Sequence, residues 1–265
     1  MKENSDRIDI RLVALGMAQS REDAKKMVMA GCVFSDGIRV DKVSESVSQD
    51  AHLEVLGFEK EFVSRGGYKL KKAIAVFNIE LNGLTCADIG ASTGGFSDCM
   101  LQNGAKRVFA VDTGYGQLDW KIRSDARVSL YERFNARFLE IDTFDEPVDF
   151  AAIDVSFISL KLILPAVRKT LKPDGRLVCL IKPQFEAGRE KVGKKGVVRD
   201  KSVHAEVIRN VIAYAEGSGL NVLGLDFSPI KGPNGNIEYL LFLSASEKAV
   251  SYNIDLVIDA AWTNL

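Results

Sequence analysis

Apolar positions follow two different regimes along this chain, and the change comes near residue 60. In the first regime Ile8, Ile10, Leu12, Val13 and Leu15 cluster before Gly16, which predicts a first helix that the glycine ends. Ser20 is a good N-cap for a second helix over 21–30, with Ala24, Met27 and Val28 on its apolar face and Gly31 closing it. Residues 32–34 and 38–40 read as short strands joined by Ser35-Asp36-Gly37, since Asp-Gly favours a tight hairpin, and 52–56 reads as a further strand. In the second regime short apolar runs recur at 86–89, 108–111, 150–153, 177–181, 222–225 and 239–243, with helical stretches between most of them. That alternation predicts an α/β fold, a largely parallel sheet with helices on both faces. Residues 250–265 give no clear pattern.

The 265 residues suffice for one large domain and a small one. Composition is near the globular average, with 46% hydrophobic and 27% charged residues, which excludes a disordered, fibrous or collagen-like chain. Thirty-five basic against 36 acidic residues exclude a uniformly basic coat for nucleic acid, though not a local basic patch. Cys32, Cys86, Cys99 and Cys179 stand far apart without a CxxC pair, so free, buried thiols in a reducing cytoplasm are expected, with no metal site. The first six residues have no apolar stretch, so no signal peptide is expected. The best candidate span, 150–167, carries Asp154 and Lys161 in its interior, which argues against a membrane protein.

Chemistry concentrates at strand ends. Asp88-Ile-Gly90-Ala-Ser92-Thr-Gly94-Gly95-Phe96 runs from a strand through a glycine-rich turn toward a helix, a geometry that lets backbone approach a ligand. Asp112 ends the next strand, placed to accept hydrogen bonds from ribose hydroxyls, so the pair predicts an adenosine-containing cofactor. Asp154 and Lys182 follow two buried-looking strands, Glu238 precedes another, and Lys69 sits just before the first helix of the large domain. Such a Lys-Asp-Lys-Glu set suits methyl transfer to a ribose 2′-hydroxyl, a poor nucleophile that needs positioning and a base. A lysine crowded by a second cation and partly desolvated is expected to have a lowered pKa, with the carboxylates orienting both lysines. The stretches 60–72 and 182–201 carry five and seven positive charges and flank this site, which favours a phosphate-rich substrate.

Val63-Ser-Arg-Gly-Gly-Tyr-Lys-Leu70, Asp88–Phe96, Val111-Asp-Thr-Gly-Tyr-Gly-Gln117, Asp154-Val-Ser-Phe-Ile-Ser-Leu160, Lys182-Pro-Gln-Phe-Glu186, Gly196-Val-Val-Arg-Asp200 and Gly235-Asn-Ile-Glu238 together resemble the TlyA family. Its members go by the names hemolysin A and ribosomal RNA 2′-O-methyltransferase. The resemblance implies a Rossmann-like, S-adenosylmethionine-dependent methyltransferase domain of the FtsJ type over 68–265, with a mostly parallel seven-stranded sheet. It further implies a small α+β RNA-binding domain of S4 type over 1–59 and a linker over 60–67. Carried over, the catalytic tetrad falls on Lys69, Asp154, Lys182 and Glu238, with Lys182 as base. The cofactor contacts fall on Asp88, Gly90, Ser92, Gly94, Phe96, Asp112 and Asn135. The implied substrate is ribosomal RNA, at a cytidine, with ribosomal subunits as partners in the cytoplasm. Residues 1–60 hold nine basic and eleven acidic side chains, so RNA contact there must rest on clustered Arg7, Arg11, Arg21, Lys25 and Lys26, with Arg65 beyond them. The small domain is expected to dock substrate and take no part in the chemistry. Two other classes stand against this reading: a membrane-active hemolysin, which explains none of these residues, and an idle RNA-binding or ribosome-assembly factor, which leaves the complete tetrad unexplained.

Overall fold

The computed structural model describes residues 5–18, 20–57 and 61–265, so four of the six residues of the leader reading and the expected boundary at 59/60 lie outside the described residues. The chain divides into two compact units, 1–61 and 62–265.

The smaller unit holds β1 (Ser5–Arg7), α1 (Ile8–Ala14), α2 (Arg21–Met29), β2 (Val33–Ser35), β3 (Ile38–Arg39), β4 (Ser46–Ser48) and β5 (Leu53–Val55). Ser20 caps α2 as expected, its Oγ accepting from the Asp23 amide at 3.1 Å. Ser35 pairs with Ile38 across a two-residue turn, and Asp36 (φ 50°) and Gly37 (φ 77°) both take the left-handed conformation that such a turn needs. β1 and β4 pair with each other and escaped the pattern reading, because Val47 is the one side chain they bury. Ile8, Leu12, Met27, Val28, Val33 and Leu53 form the core of this unit.

The larger unit runs α3 (Gly66–Phe77), β6 (Thr85–Ile89), α4 (Gly95–Gln102), β7 (Arg107–Val111), α5 (Trp120–Arg123), β8 (Val128–Tyr131), β9 (Val148–Ile153), α6 (Leu160–Thr170), β10 (Leu171–Ile181), α7 (Pro183–Glu186), α8 (Lys201–Gly217), β11 (Asn221–Phe227), β12 (Tyr239–Ser244) and α9 (Ile254–Asn264). Its seven strands lie in the order β11-β12-β10-β9-β6-β7-β8, with β12 antiparallel to both neighbours and every other pairing parallel. Successive residues of the central strands enter opposite cores. Ile89, Ile153 and Ile181 face α6 and α8, whereas Val108, Phe150 and Leu180 join Leu70 of α3 and Met100 of α4. Burial on both faces is why these strands read as unbroken apolar runs. β8 is half-buried at the sheet edge and left no such run. The segment 250–265 supplies α9, which buries Ile258 and Ala261. The candidate span 150–167 divides between β9, a loop and α6, and no helix among the described residues is long and apolar enough to cross a membrane. All four cysteines are free; Cys32, just ahead of β2, is partly exposed where a buried thiol was expected.

Candidate active site

Strand order reverses between β6 and β9, and in open α/β sheets the crevice beyond the carboxyl ends at such a point receives the ligand. Pairing of Ile89 with Ile153 brings the turn after β6 beside Asp154. Because β12 is antiparallel, its beginning lies at that same edge: Ile181 pairs with Tyr239, which sets Lys182 next to Glu238. Lys69 arrives from the first turn of α3, as the fourth residue of the helix and not ahead of it as the sequence suggested. The start of α3 packs tightly on its surroundings. A Cβ at Gly67 would come within 2.2 Å of the Phe62 ring, and one at Gly95 within 2.2 Å of Ser64 Oγ. Helical propensity alone favours a later start than that packing imposes.

The structure brings the four tetrad residues together. Lys69 Nζ lies 2.8 Å from Glu238 Oε2 and 3.3 Å from Asp154 Oδ2, while Lys182 Nζ lies 2.5 Å from Asp154 Oδ1. Lys182 also donates to Ser156 Oγ at 3.0 Å. Lys69 and Lys182 are 8% and 7% exposed and Glu238 is fully buried, so these charges depend on one another in place of water. Burial by itself would lower Lys69; the carboxylates of Asp154 and Glu238 outweigh it and hold the amine above its ordinary value. Burial likewise opposes ionisation of Asp154, but the two lysines hold its carboxyl below the usual range. The expected lowering of a lysine pKa therefore fails at Lys69, because two carboxylates meet one amine there.

Beside the tetrad opens a cleft of about 900 Å³ whose lining includes Gly90, Ser92, Asp112, Gly114, Asn135 and Val155. It shares Gly90, Ser92, Asp154 and Ser156 with a second hollow that contains Lys69 and Lys182. Gly90 has φ 89° and a Cβ there would stand 2.6 Å from the Asp154 carbonyl oxygen, so the turn passes bare backbone along the crevice. Asp112 accepts from the Ser92 amide at 2.8 Å and from the Gly114 amide at 2.6 Å, one per oxygen, which leaves each oxygen a second lone pair directed elsewhere. Asp88 is fully buried at the end of β6, where one oxygen accepts from Ser97 N and Oγ and the other has no hydrogen-bond partner. Burial pushes its carboxyl up to about 7. Asn135 accepts from Arg137 N at 3.1 Å and lines the cleft. Phe96 lines the tetrad hollow, while Gly94 lines neither cavity and its left-handed backbone (φ 92°) shapes the start of α4. An adenosine with a charged methionine tail fits this set: a carboxylate for the ribose diol, bare backbone along the turn, and an orphaned buried oxygen at Asp88. Asp112→Ala is expected to weaken cofactor binding by roughly 1–3 kcal/mol, the cost of unpaired buried hydroxyls. Calorimetry on the variant checks it, and unchanged affinity would remove Asp112 from the site.

The basic residues fare unequally. Arg7 and Arg21 both clasp the buried Asp9, at 3.0 and 2.6 Å, yet keep 44% and 60% of their side chains exposed beside Lys25. Lys26 is exposed on the same helix. Arg11 departs from the expectation: it is 8% exposed and donates to the Ser48 carbonyl at 2.8 Å, so it braces the small unit and is not open to RNA. Arg65 lines the tetrad hollow and donates to the Lys231 carbonyl at 3.0 Å. Sequence reasoning passed over Ser156 and Glu186 as individuals. Glu186 accepts from Ser159 Oγ and the Leu160 amide, both at 2.7 Å, and so ties α7 to the start of α6. Their signal lay only in adjacency to Asp154 and Lys182.

The profile of FtsJ-like methyltransferases matches residues 62–245, and that of the S4 domain matches residues 6–53. A Bacillus subtilis protein described as a candidate rRNA methyltransferase, YqxC, is 50% identical over 244 residues, covering 92% of this chain and 87% of that one. The 16S/23S rRNA (cytidine-2′-O)-methyltransferase TlyA of Mycobacterium tuberculosis H37Rv is 42% identical over 247 residues, covering 92% of each chain. A solved structure from Streptococcus thermophilus, described as a candidate hemolysin, superposes with a TM-score of 0.76 at 47% identity, over 99% of this chain and 97% of that one.

Proposed function

This chain belongs to the TlyA family of FtsJ-like methyltransferases, with an S4 domain in its first 53 residues, and from that premise we propose that it methylates the 2′-hydroxyl of a cytidine ribose in ribosomal RNA. The observation that supports this reading most is the lysine pair bridged by Asp154, set at the wall shared with the cofactor cleft. S-adenosylmethionine, the cofactor of this enzyme class, supplies when bound an electrophilic methyl group on a sulfonium. The chain's own residues supply the rest. Lys182 Nζ takes the hydroxyl proton as that oxygen becomes methylated. Lys69, clamped by Asp154 and Glu238, remains a fixed cation that holds the Asp154 carboxyl below its usual range and both carboxylates in place.

Substrate chemistry supports RNA at two places. At the hollow, Arg65 and Lys231 offer cations for phosphate, and in the adjoining cleft Phe157, 91% exposed, offers an aromatic face to a base. In the small unit, Arg21 and Lys25 share one helix and suit phosphate contacts that fix register without reading sequence. The partner is then a ribosomal subunit and the workplace the cytoplasm. Mapping ribose methylation in rRNA treated with the enzyme tests the reading directly; rRNA without a new 2′-O-methyl cytidine contradicts it. Arg21→Ala with Lys25→Ala is expected to weaken RNA binding and to reduce the slope of log affinity against log salt by about one per lost phosphate contact. Titrations at several salt concentrations check this, and an unchanged slope would place the RNA anchor elsewhere.

A further inference from the structure

The two lysines of the tetrad sit in chemically different seats. Lys69 Nζ has a carboxylate on either side, Glu238 at 2.8 Å and Asp154 at 3.3 Å. Lys182 Nζ has one carboxylate, Asp154 at 2.5 Å, and one uncharged oxygen, Ser156 Oγ at 3.0 Å. We infer that Ser156 is a positioning residue, whose hydroxyl joins with Asp154 to hold Lys182 Nζ in the orientation that accepts the substrate proton. The inference rests on the proposed ribose methylation and deepens it.

A neutral amine has two N–H donors and one lone pair on a tetrahedral nitrogen. Asp154 and Ser156 take one donor each and the side-chain carbon takes the third direction, so the lone pair is left pointing along the fourth. A second carboxylate in the place of Ser156 would hold a third proton on nitrogen, as the seat of Lys69 does, where the amine stays above its ordinary value. Other charged groups lie around Lys182 without displacing this arrangement. Lys69 and Glu238 stand behind Asp154, Asp88 lies under the turn after β6, Arg65 and Lys231 line the same hollow, and Glu186 follows on α7. Among the described residues Asp154 is the one ion-pair partner of Lys182.

The place of Ser156 is also fixed from both sides. It lines both the cofactor cleft and the tetrad hollow, at the border a methyl group must cross. The residue after it, Phe157, adopts φ 62°, a left-handed conformation costly for a bulky side chain, and its ring rests 4.9 Å from that of Phe185 on α7. Glu186 then fastens the far end of the loop through Ser159 and Leu160.

The test is the pH profile of kcat on ribosomal subunits at saturating cofactor, for the wild type, Ser156→Ala, Ser156→Thr and Ser156→Asp. Ser156→Ala is expected to lower kcat by about tenfold, the rate equivalent of one uncharged hydrogen bond, with cofactor affinity and KM for RNA unchanged. Ser156→Thr, which keeps the hydroxyl, restores it. Ser156→Asp moves the rising limb of the profile about one unit or more to the alkaline side, so its loss at neutral pH is regained at higher pH. Wild-type transfer to ribose, with Ser156→Ala and Ser156→Asp keeping the wild-type rate and limb, overturns this inference alone. Absence of ribose methylation by the wild-type enzyme overturns it together with the reading on which it rests.

Discussion

Lys182→Ala is expected to lower kcat on ribosomal substrate by about 10²–10⁴-fold, the usual worth of a positioned general base. Cofactor affinity stays near the wild-type value, because Lys182 does not line the cleft that holds Asp112, Gly90 and Ser92. Asp154 retains Lys69 as a partner in the variant, so the carboxylate is not stranded. Single-turnover rates together with calorimetric cofactor titration separate these effects. Retention of more than about half the wild-type rate would remove Lys182 from the role of base.

Asp154→Asn is expected to damage both rate and stability. It removes the negative charge that lies between two buried amines, leaving Glu238 alone to balance them. Breaking a buried pair by deleting one partner typically costs about 3–5 kcal/mol, and losing one preorganised charge typically costs ~10²–10³ in rate. The pH window follows from the shifts. Lys69 is raised on folding, so its contribution is complete below the unfolded amine value and fades as pH climbs through the higher folded value. Asp154 is lowered on folding, so its contribution is complete above the unfolded carboxyl value and fades as pH falls through the lower folded one. Between about pH 4 and pH 10 both operate, and within that window the variant loses most. Thermal unfolding of the two proteins at acid, neutral and alkaline pH measures it. An equal loss at pH 2 and pH 7 would mean that packing, not charge, makes Asp154 matter.

The central sheet was legible because its strands are buried on both faces, which leaves runs such as Leu177-Val-Cys-Leu-Ile with little else to be. The hairpin at Asp36-Gly37 was legible because its φ values restrict the residues that fit. β1, β4 and β8 were not, since pairing at an edge asks for backbone hydrogen bonds and few buried side chains. α9 went unread although it buries Ile258 and Ala261, because most of its surface faces solvent. Among functional residues, Asp154, Lys182 and Glu238 announced themselves by being charged beside apolar strands, and Lys69 by its place at the first helix of the large domain. Ser156 did not: one small hydroxyl in a loop gains meaning only when a lysine from a strand 26 residues away reaches it. Arg11 misled in the opposite direction, since a surface-patterned cation in sequence turned inward to a carbonyl.

β12 also carries a consequence for how the enzyme comes into being. It is the last strand in the chain, yet it sits between β10 and β11, not at an edge. Lys69 and its carboxylate partner Glu238 are separated by 169 residues. Contacts of that separation must offset the entropy of closing a long loop, which slows folding. The tetrad is therefore complete only once β12 is paired between β10 and β11, and only then does Lys69 of α3, already beside Asp154, gain Glu238 as its second counter-charge. A stretch of the chain that stops short of residue 238 thus holds three of these four charges and lacks the carboxylate nearest Lys69.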